Sequence, residues 1–121
     1  MTPGLLERTP TLAQAVAEVL DEAAIRIERE GFAQHHFWDA ATGLYCTRGT
    51  YTQVVLDRYR GRNVQIDGVD LWQAVIEACD LALSSRLGRG VAVWNDEPGR
   101  TTDEVVEVLK NTAAGIRVAI A

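Results

Sequence analysis

Trp94-Asn95-Asp96-Glu97-Pro98-Gly99-Arg100-Thr101-Thr102-Asp103-Glu104-Val105 is the stretch on which the fold reading turns. Thr101 and Glu104 have capping-box spacing, ahead of Val105, Val106, Leu109 and Ala113 at helical steps. A helix is expected over residues 102–114, with Gly115 as its stop. Upstream, Val91-Ala92-Val93-Trp94 is a β-branched and aromatic run after Gly88 and Gly90, and reads as a short buried strand or extended segment. Glu97 precedes a proline and is biased to extended geometry, while Pro98-Gly99 suits the centre of a type II turn. Strand, turn and helix should follow in succession, with Trp94, Asn95, Asp96 and Arg100 gathered at the bend.

Working outward, Asp70 offers a cap acceptor and Gln73 the N3 partner of a capping box. Trp72, Val75, Ile76, Cys79, Leu83 and Leu87 then follow at helical spacing, widened by Ala74, Ala78, Leu81 and Ala82. That helix is expected to be the central, most buried one, with Cys79 an inert core thiol. Before it, residues 63–69 read as a polar connection. Thr47 or Thr50 could cap a shorter helix with Tyr51, Val54, Val55 and Tyr59 on one face, ended by Gly61; the same residues also suit a strand. Phe37-Trp38 and Leu44-Tyr45-Cys46 flank Asp39-Ala40-Ala41-Thr42-Gly43 as a hairpin would. The first helix carries Leu12, Val16, Val19, Leu20, Ala23 and Ile27 inward, with Thr9 as cap, Pro10 at the first helical position and Gly31 at the end. Residues 1–8 read as a flexible lead-in. At the other terminus, residues 116–121 fit either a last helical turn or a strand pairing with a second subunit, so a homo-oligomer would form through that tail. The expected architecture is a helix-dominated α+β fold over residues 9–121, one domain with about four helices and a short hairpin or extended segments.

Composition bounds the function. With 121 residues, 47% hydrophobic and 24% charged, the chain has the make-up of one globular domain, and no apolar run approaches a membrane span. Its start lacks a basic region followed by an apolar one, so a cytoplasmic protein is expected. A net charge of -5 argues against nucleic acid, although Arg58-Tyr59-Arg60-Gly61-Arg62 is a local basic patch. Cys46 and Cys79 form no CxxC pair, so reduced thiols are the default and neither a structural metal nor a cofactor is expected.

Trp94-Asn95-Asp96, Gly99-Arg100-Thr101 and Glu104-Val105 together resemble a family of small bacterial and phage proteins known only as a domain of unknown function. The likeness extends to Gly31-Phe32-x-Gln34 and Cys46-x-x-Gly49 and spans most of residues 12–114. The segment from Gln34 to Cys46 is short for that family, and Thr50 stands where alanine is expected after Gly49. The resemblance implies a fold and a candidate site, but no reaction.

Two kinds of site suggest themselves. Trp94, Asn95, Asp96 and Arg100 suit a loop that binds a protein or small-molecule partner, and they also suit a self-contained turn network. Cys46, just before a helix and near Arg48, could be a nucleophile with His35 or His36 as base and Asn95 or Asp96 as orienter. Metal binding by His35, His36 and Asp39 is disfavoured, because adjacent histidines on a strand face opposite ways. Asp103 and Glu104 are what a helix N-terminus favours electrostatically, so with Asp96 and Glu97 they need no cation. The leading expectation is a non-enzymatic binding or regulatory protein; the competing one is a small cysteine-dependent enzyme.

Overall fold

A computed structural model describes residues 10–121; the expected lead-in over residues 1–8, and Thr9, lie outside the described residues. Helix α1 (Leu12–Glu30) is followed by a hairpin of β1 (Trp38–Asp39) and β2 (Leu44–Tyr45). Helix α2 (Thr47–Tyr59) leads to a second hairpin of β3 (Gln65–Ile66) and β4 (Val69–Asp70), then α3 (Leu71–Leu87), the short α4 (Val91–Asn95) and α5 (Thr102–Ile120). The expected helix-dominated α+β class is therefore found, with five helices among the described residues.

The centre is α1 rather than the helix beginning at Leu71. Ala15, Val16, Ala17, Val19, Leu20, Ala23, Ala24 and Ile27 are all buried, and α1 packs most extensively against α5 while also meeting α2 and α3. Four alanines in that set keep the helix thin enough to be enclosed on more than one side. On α3 the line of full burial is narrow, Leu71, Val75, Cys79 and Leu83, and Leu81 is left 67% exposed. The apolar excess on α3 exceeds the surface that its neighbours cover. Burial pushes the Cys79 thiol upward, and Asp80 adds to the effect, consistent with an inert core cysteine.

Several boundaries differ from expectation. Thr11, not Thr9, caps α1: its hydroxyl accepts the Gln14 N–H at 3.1 Å and Gln14 Oε1 accepts the Thr11 N–H at 3.0 Å. That reciprocal box satisfies two end groups, which Pro10 at a first helical position could not match. Cys46 is the cap of α2, its sulfur accepting the Gly49 N–H at 3.3 Å, and residues 50–59 are helix. Asp70 sits at the cap of α3 without a side-chain cap bond; its carboxylate takes Gln65 Nε2 at 3.4 Å instead. Residues 63–69 contain the second hairpin, turned by Asp67 at φ 51° and Gly68 at φ 80°, an Asp-Gly pair suited to a tight hairpin turn.

The run from Val91 to Trp94 is helical, not a strand. Trp94 N–H bonds Gly90 O at 3.1 Å and Asp96 N–H bonds Ala92 O at 3.0 Å. Burial of Val91, Trp94 and Asn95 with Ala92 and Val93 exposed is a helical period, and it overrides the strand preference of valine. Helix α5 also runs past Gly115 to Ile120, which settles residues 116–120 as helix. Ile116 packs on the core, and one glycine inside a helix costs only about 1 kcal/mol.

Candidate functional site

The bend after α4 is held from beneath. Asn95 is completely buried and every polar atom of its side chain is bonded. Its Oδ1 accepts the Thr47 N–H at 2.9 Å and the Thr47 hydroxyl at 2.6 Å, while Nδ2 donates to Ala33 O at 3.0 Å and Asp96 Oδ1 at 2.9 Å. Thr47 N–H is the first helical amide of α2, one that no helical carbonyl can reach, so Asn95 completes the end of a neighbouring helix. Gln34 reaches the other way, its Nε2 donating to Asn95 O at 3.0 Å and Glu97 O at 2.9 Å. Asp96 Oδ1 accepts the His35 N–H at 2.8 Å. These bonds form a clamp joining α4, the start of α2 and residues 33–35.

Arg100 sits over the Trp94 ring, 3.9 Å from the guanidinium carbon to the ring centre. Its Nε donates to Trp94 O at 3.1 Å, Nη2 to Glu97 at 2.7 Å and Nη1 to Glu104 at 3.2 Å. Glu97 also meets Arg89. The Glu97–Arg100 turn closes through Arg100 N–H to Glu97 O at 3.2 Å, with Gly99 at φ 82°, and the Thr101–Glu104 capping box is complete. Trp94 is 7% exposed and the Arg100 side chain 11%. Of the four residues expected at the bend, then, Trp94, Asn95 and Arg100 spend their contacts inside the molecule, and Asp96 alone reaches an open cleft.

That cleft has a volume of about 260 Å³. His35, His36 and Phe37 form one wall; Cys46 and Arg48 at the start of α2, with Ala92 and Asp96, form the other. The sequence thus anticipated a shared location for Cys46, His35, His36 and Asp96, although Asn95 lies behind the wall. His35 Nδ1 stands 3.9 Å from Asp96 Oδ2. Burial works against the Asp96 charge, but the His35 N–H, the Asn95 amide and the nearby imidazoles outweigh it and hold the carboxyl below its usual range. Asp39 takes no part: it ties its own hairpin loop by accepting Ala41 N–H at 3.0 Å and the Thr42 hydroxyl at 3.2 Å. No group of three His, Cys, Asp or Glu residues converges on a metal position among the described residues.

His35 is a non-glycine residue with φ at 68°, in the left-handed region. Such a conformation costs of order 1 kcal/mol or more and persists only where neighbours over-determine it. Here Gln34 is tied to two carbonyls and the His35 amide to Asp96, so the clamp fixes the kink. The consequence is display: His35, His36, Phe37 and Trp38 are exposed, the last two at 45% and 50%. Phe37 still packs edge-on against Tyr45, ring centres 5.9 Å apart, and its carbonyl accepts Cys46 N–H at 3.0 Å. Gly49 makes this packing possible, since a Cβ there would lie 2.6 Å from Phe37 O.

Sequence reasoning named Gln34 only within the family likeness and Thr47 only as a helix cap, gave neither a part in the clamp, and did not name Asp80. Asp80 receives Arg48 in a two-pronged bond, Nε at 3.1 Å and Nη2 at 3.0 Å, and also the Tyr51 hydroxyl. A polar Gln34 in the aromatic segment and an aspartate beside Cys79 were the available signals. In the basic patch, Arg58 crosses to Glu22 at 2.7 Å and Arg62 sits over the Tyr59 ring at 5.6 Å.

Fold and site together define a small helix-dominated α+β protein in which a buried asparagine clamps a kinked, aromatic-bearing segment beside a cleft. The chain belongs to a family of unknown function, DUF6197, whose model matches residues 11–115. No curated protein and no solved structure matches it. Among the described residues no helix is long and apolar enough to cross a membrane.

Proposed function

We propose that this is a non-enzymatic binding or regulatory protein of the cytoplasm, phage- or mobile-element-borne as the resemblance implies. Its partner places a group in the cleft between the 35–37 segment and the start of α2. The observation that carries the reading is the clamp. The hydrogen bonds of Gln34 and Asp96 hold His35 in an unfavourable conformation, and this keeps Phe37 and two imidazoles exposed along one wall of the cleft. Ala92 gives a clean test, because it lines the cleft and is exposed, yet its side chain takes no part in the clamp. Ala92→Trp fills the cleft. The proteins and small molecules retained by the immobilised wild type should be lost by this variant while its melting temperature stays within a few degrees. Retention of an identical set by both would end the proposal.

A second reading has its own support: Cys46 borders the same cleft as His35, His36 and Asp96, and a backbone N–H is directed at its sulfur. In this reading Cys46 is the nucleophile of a small enzyme, a histidine its base and Asp96 the orienter, with the Asn95 amide occupied elsewhere. Iodoacetamide at neutral pH decides it. An enzyme requires Cys46 alkylation faster than that of free glutathione and slowed by His35→Ala or His36→Ala; slower alkylation than glutathione removes this reading.

A further inference from the structure

The cleft's hydrogen-bonding groups are unevenly used. Asp96 Oδ1 already accepts two N–H groups and its Oδ2 faces His35. Arg48 is different: Asp80 engages Nε and Nη2, and no hydrogen bond among the described residues uses Nη1. The His36 side chain is likewise without a protein partner among the described residues, and Phe37, Ala92 and Cys46 contribute apolar surface. The guanidinium donor left without an acceptor is Arg48 Nη1, while Asp96 Oδ2, which accepts no hydrogen bond among the described residues, has the His35 imidazole 3.9 Å away as its neighbour.

From this juxtaposition we infer that the cleft receives an apolar group bearing a carboxylate, bound by Arg48 Nη1, and that Asp80 and Tyr51 are positioning residues for Arg48. The inference rests on the binding reading above and names the chemistry of what is bound. A guanidinium held at two nitrogens keeps one fixed orientation, so its third is presented in the plane set by Asp80. Tyr51 secures the far side: its ring is fully buried on α2 and its hydroxyl donates to the same carboxylate. Burial, reinforced by Asp80, pushes the Tyr51 phenol upward, so it stays a donor throughout the physiological range.

The test uses two small probes of matched shape and opposite charge, 3-phenylpropionate and phenethylamine, titrated into the isotope-labelled full chain by NMR. The carboxylate should move the amides of His35, His36, Phe37, Arg48 and Ala92, and should bind on the order of tenfold more tightly than the amine. Arg48→Ala should abolish that preference. Asp80→Asn and Tyr51→Phe should reduce it severalfold although neither touches the probe, and Asp80→Glu should restore part of it. A purely structural role for Asp80 would lower the melting temperature and leave the ratio of the two affinities unchanged, which would overturn the positioning claim. Equal binding of both probes, or binding of neither at this cleft, would overturn the carboxylate claim. If Ala92→Trp still abolished partner retention in that case, the binding reading would survive without this chemistry.

Discussion

Replacing Asn95 with alanine should be among the costliest single changes in the chain, and its size can be worked from the bonds. Two buried backbone groups, the Thr47 N–H and the Ala33 carbonyl, lose the partner that Asn95 supplies. Thr47 and Ala33 are 2% and 6% exposed, so solvent reaches neither without entering the interior. Each orphaned buried group costs about 1–3 kcal/mol, and a water admitted to the vacated space would offset part of the sum, leaving a loss of about 3 kcal/mol. Thr47→Val removes only the hydroxyl bond and should cost about 1 kcal/mol. Urea unfolding at neutral pH, followed by helical circular dichroism, measures both, and the double variant should lose less than the sum because the two residues share a bond. Asn95→Asp adds a sign test. Its second oxygen would face Ala33 O and Asp96 Oδ1 where an N–H group stood, so its folded pKa is raised. The variant should then regain stability as pH falls and its carboxyl protonates. A loss below about 1 kcal/mol for Asn95→Ala, with an unchanged denaturant slope, would mean that the clamp does not depend on this amide.

Other outcomes follow from the same contacts. Gly49→Ala drives a methyl into Phe37 O and Tyr45, and should cost about 2 kcal/mol or more with loss of the Phe37–Tyr45 packing, visible in thermal melts and aromatic NMR shifts. Because the folded-state Asp96 carboxyl lies below its unfolded value, its contribution is full above that unfolded value and fades as pH falls through the folded one; Asp96→Asn should remove this acid-sensitive component from a stability-versus-pH curve. Arg100→Ala should cost about 1–3 kcal/mol by freeing the Trp94 carbonyl and uncovering its ring, whereas Arg100→Lys recovers only part of it, as unfolding titrations would show. Cys79 should react with a thiol reagent only at the rate of global opening, while Cys46, bordering the cleft, should react faster in the native protein.

The legible parts of the fold are those where local chemistry decides. The Thr101–Glu104 box, Gly31 as the end of α1 and the Asp39 loop could be read directly because each is satisfied within a few residues, although Gly31, at φ 92° and ψ -172°, pairs its positive φ with an extended ψ rather than adopting the left-handed helical conformation expected of it. The run at Val91 was misread because strand preference was weighed above the three-residue spacing of Val91 and Trp94, which tertiary burial rewards. Which helix lies at the centre depends on side-chain thickness as well as apolar count, so alanine-rich α1 displaced leucine-rich α3. The site was half legible. Cys46, the histidines and Asp96 do share a cleft, as their chemistry suggested. The roles of Asn95 and Arg100 were not separable from surface roles, because whether an amide points outward depends on Ala33 and Thr47, more than 40 residues away.

The left-handed backbone at His35 carries a corollary for engineering. Glycine escapes the strain of that geometry, about 1–3 kcal/mol, against about 0.4–1 kcal/mol of added unfolded-chain entropy, so His35→Gly should leave the folded state intact and raise the melting temperature while removing one imidazole from the cleft rim. A screen that selects variants of this protein for heat resistance alone would drift toward that substitution. It would enrich molecules that survive heating with an altered cleft rim, so a selection for the proposed partner binding must run beside the selection for thermal tolerance.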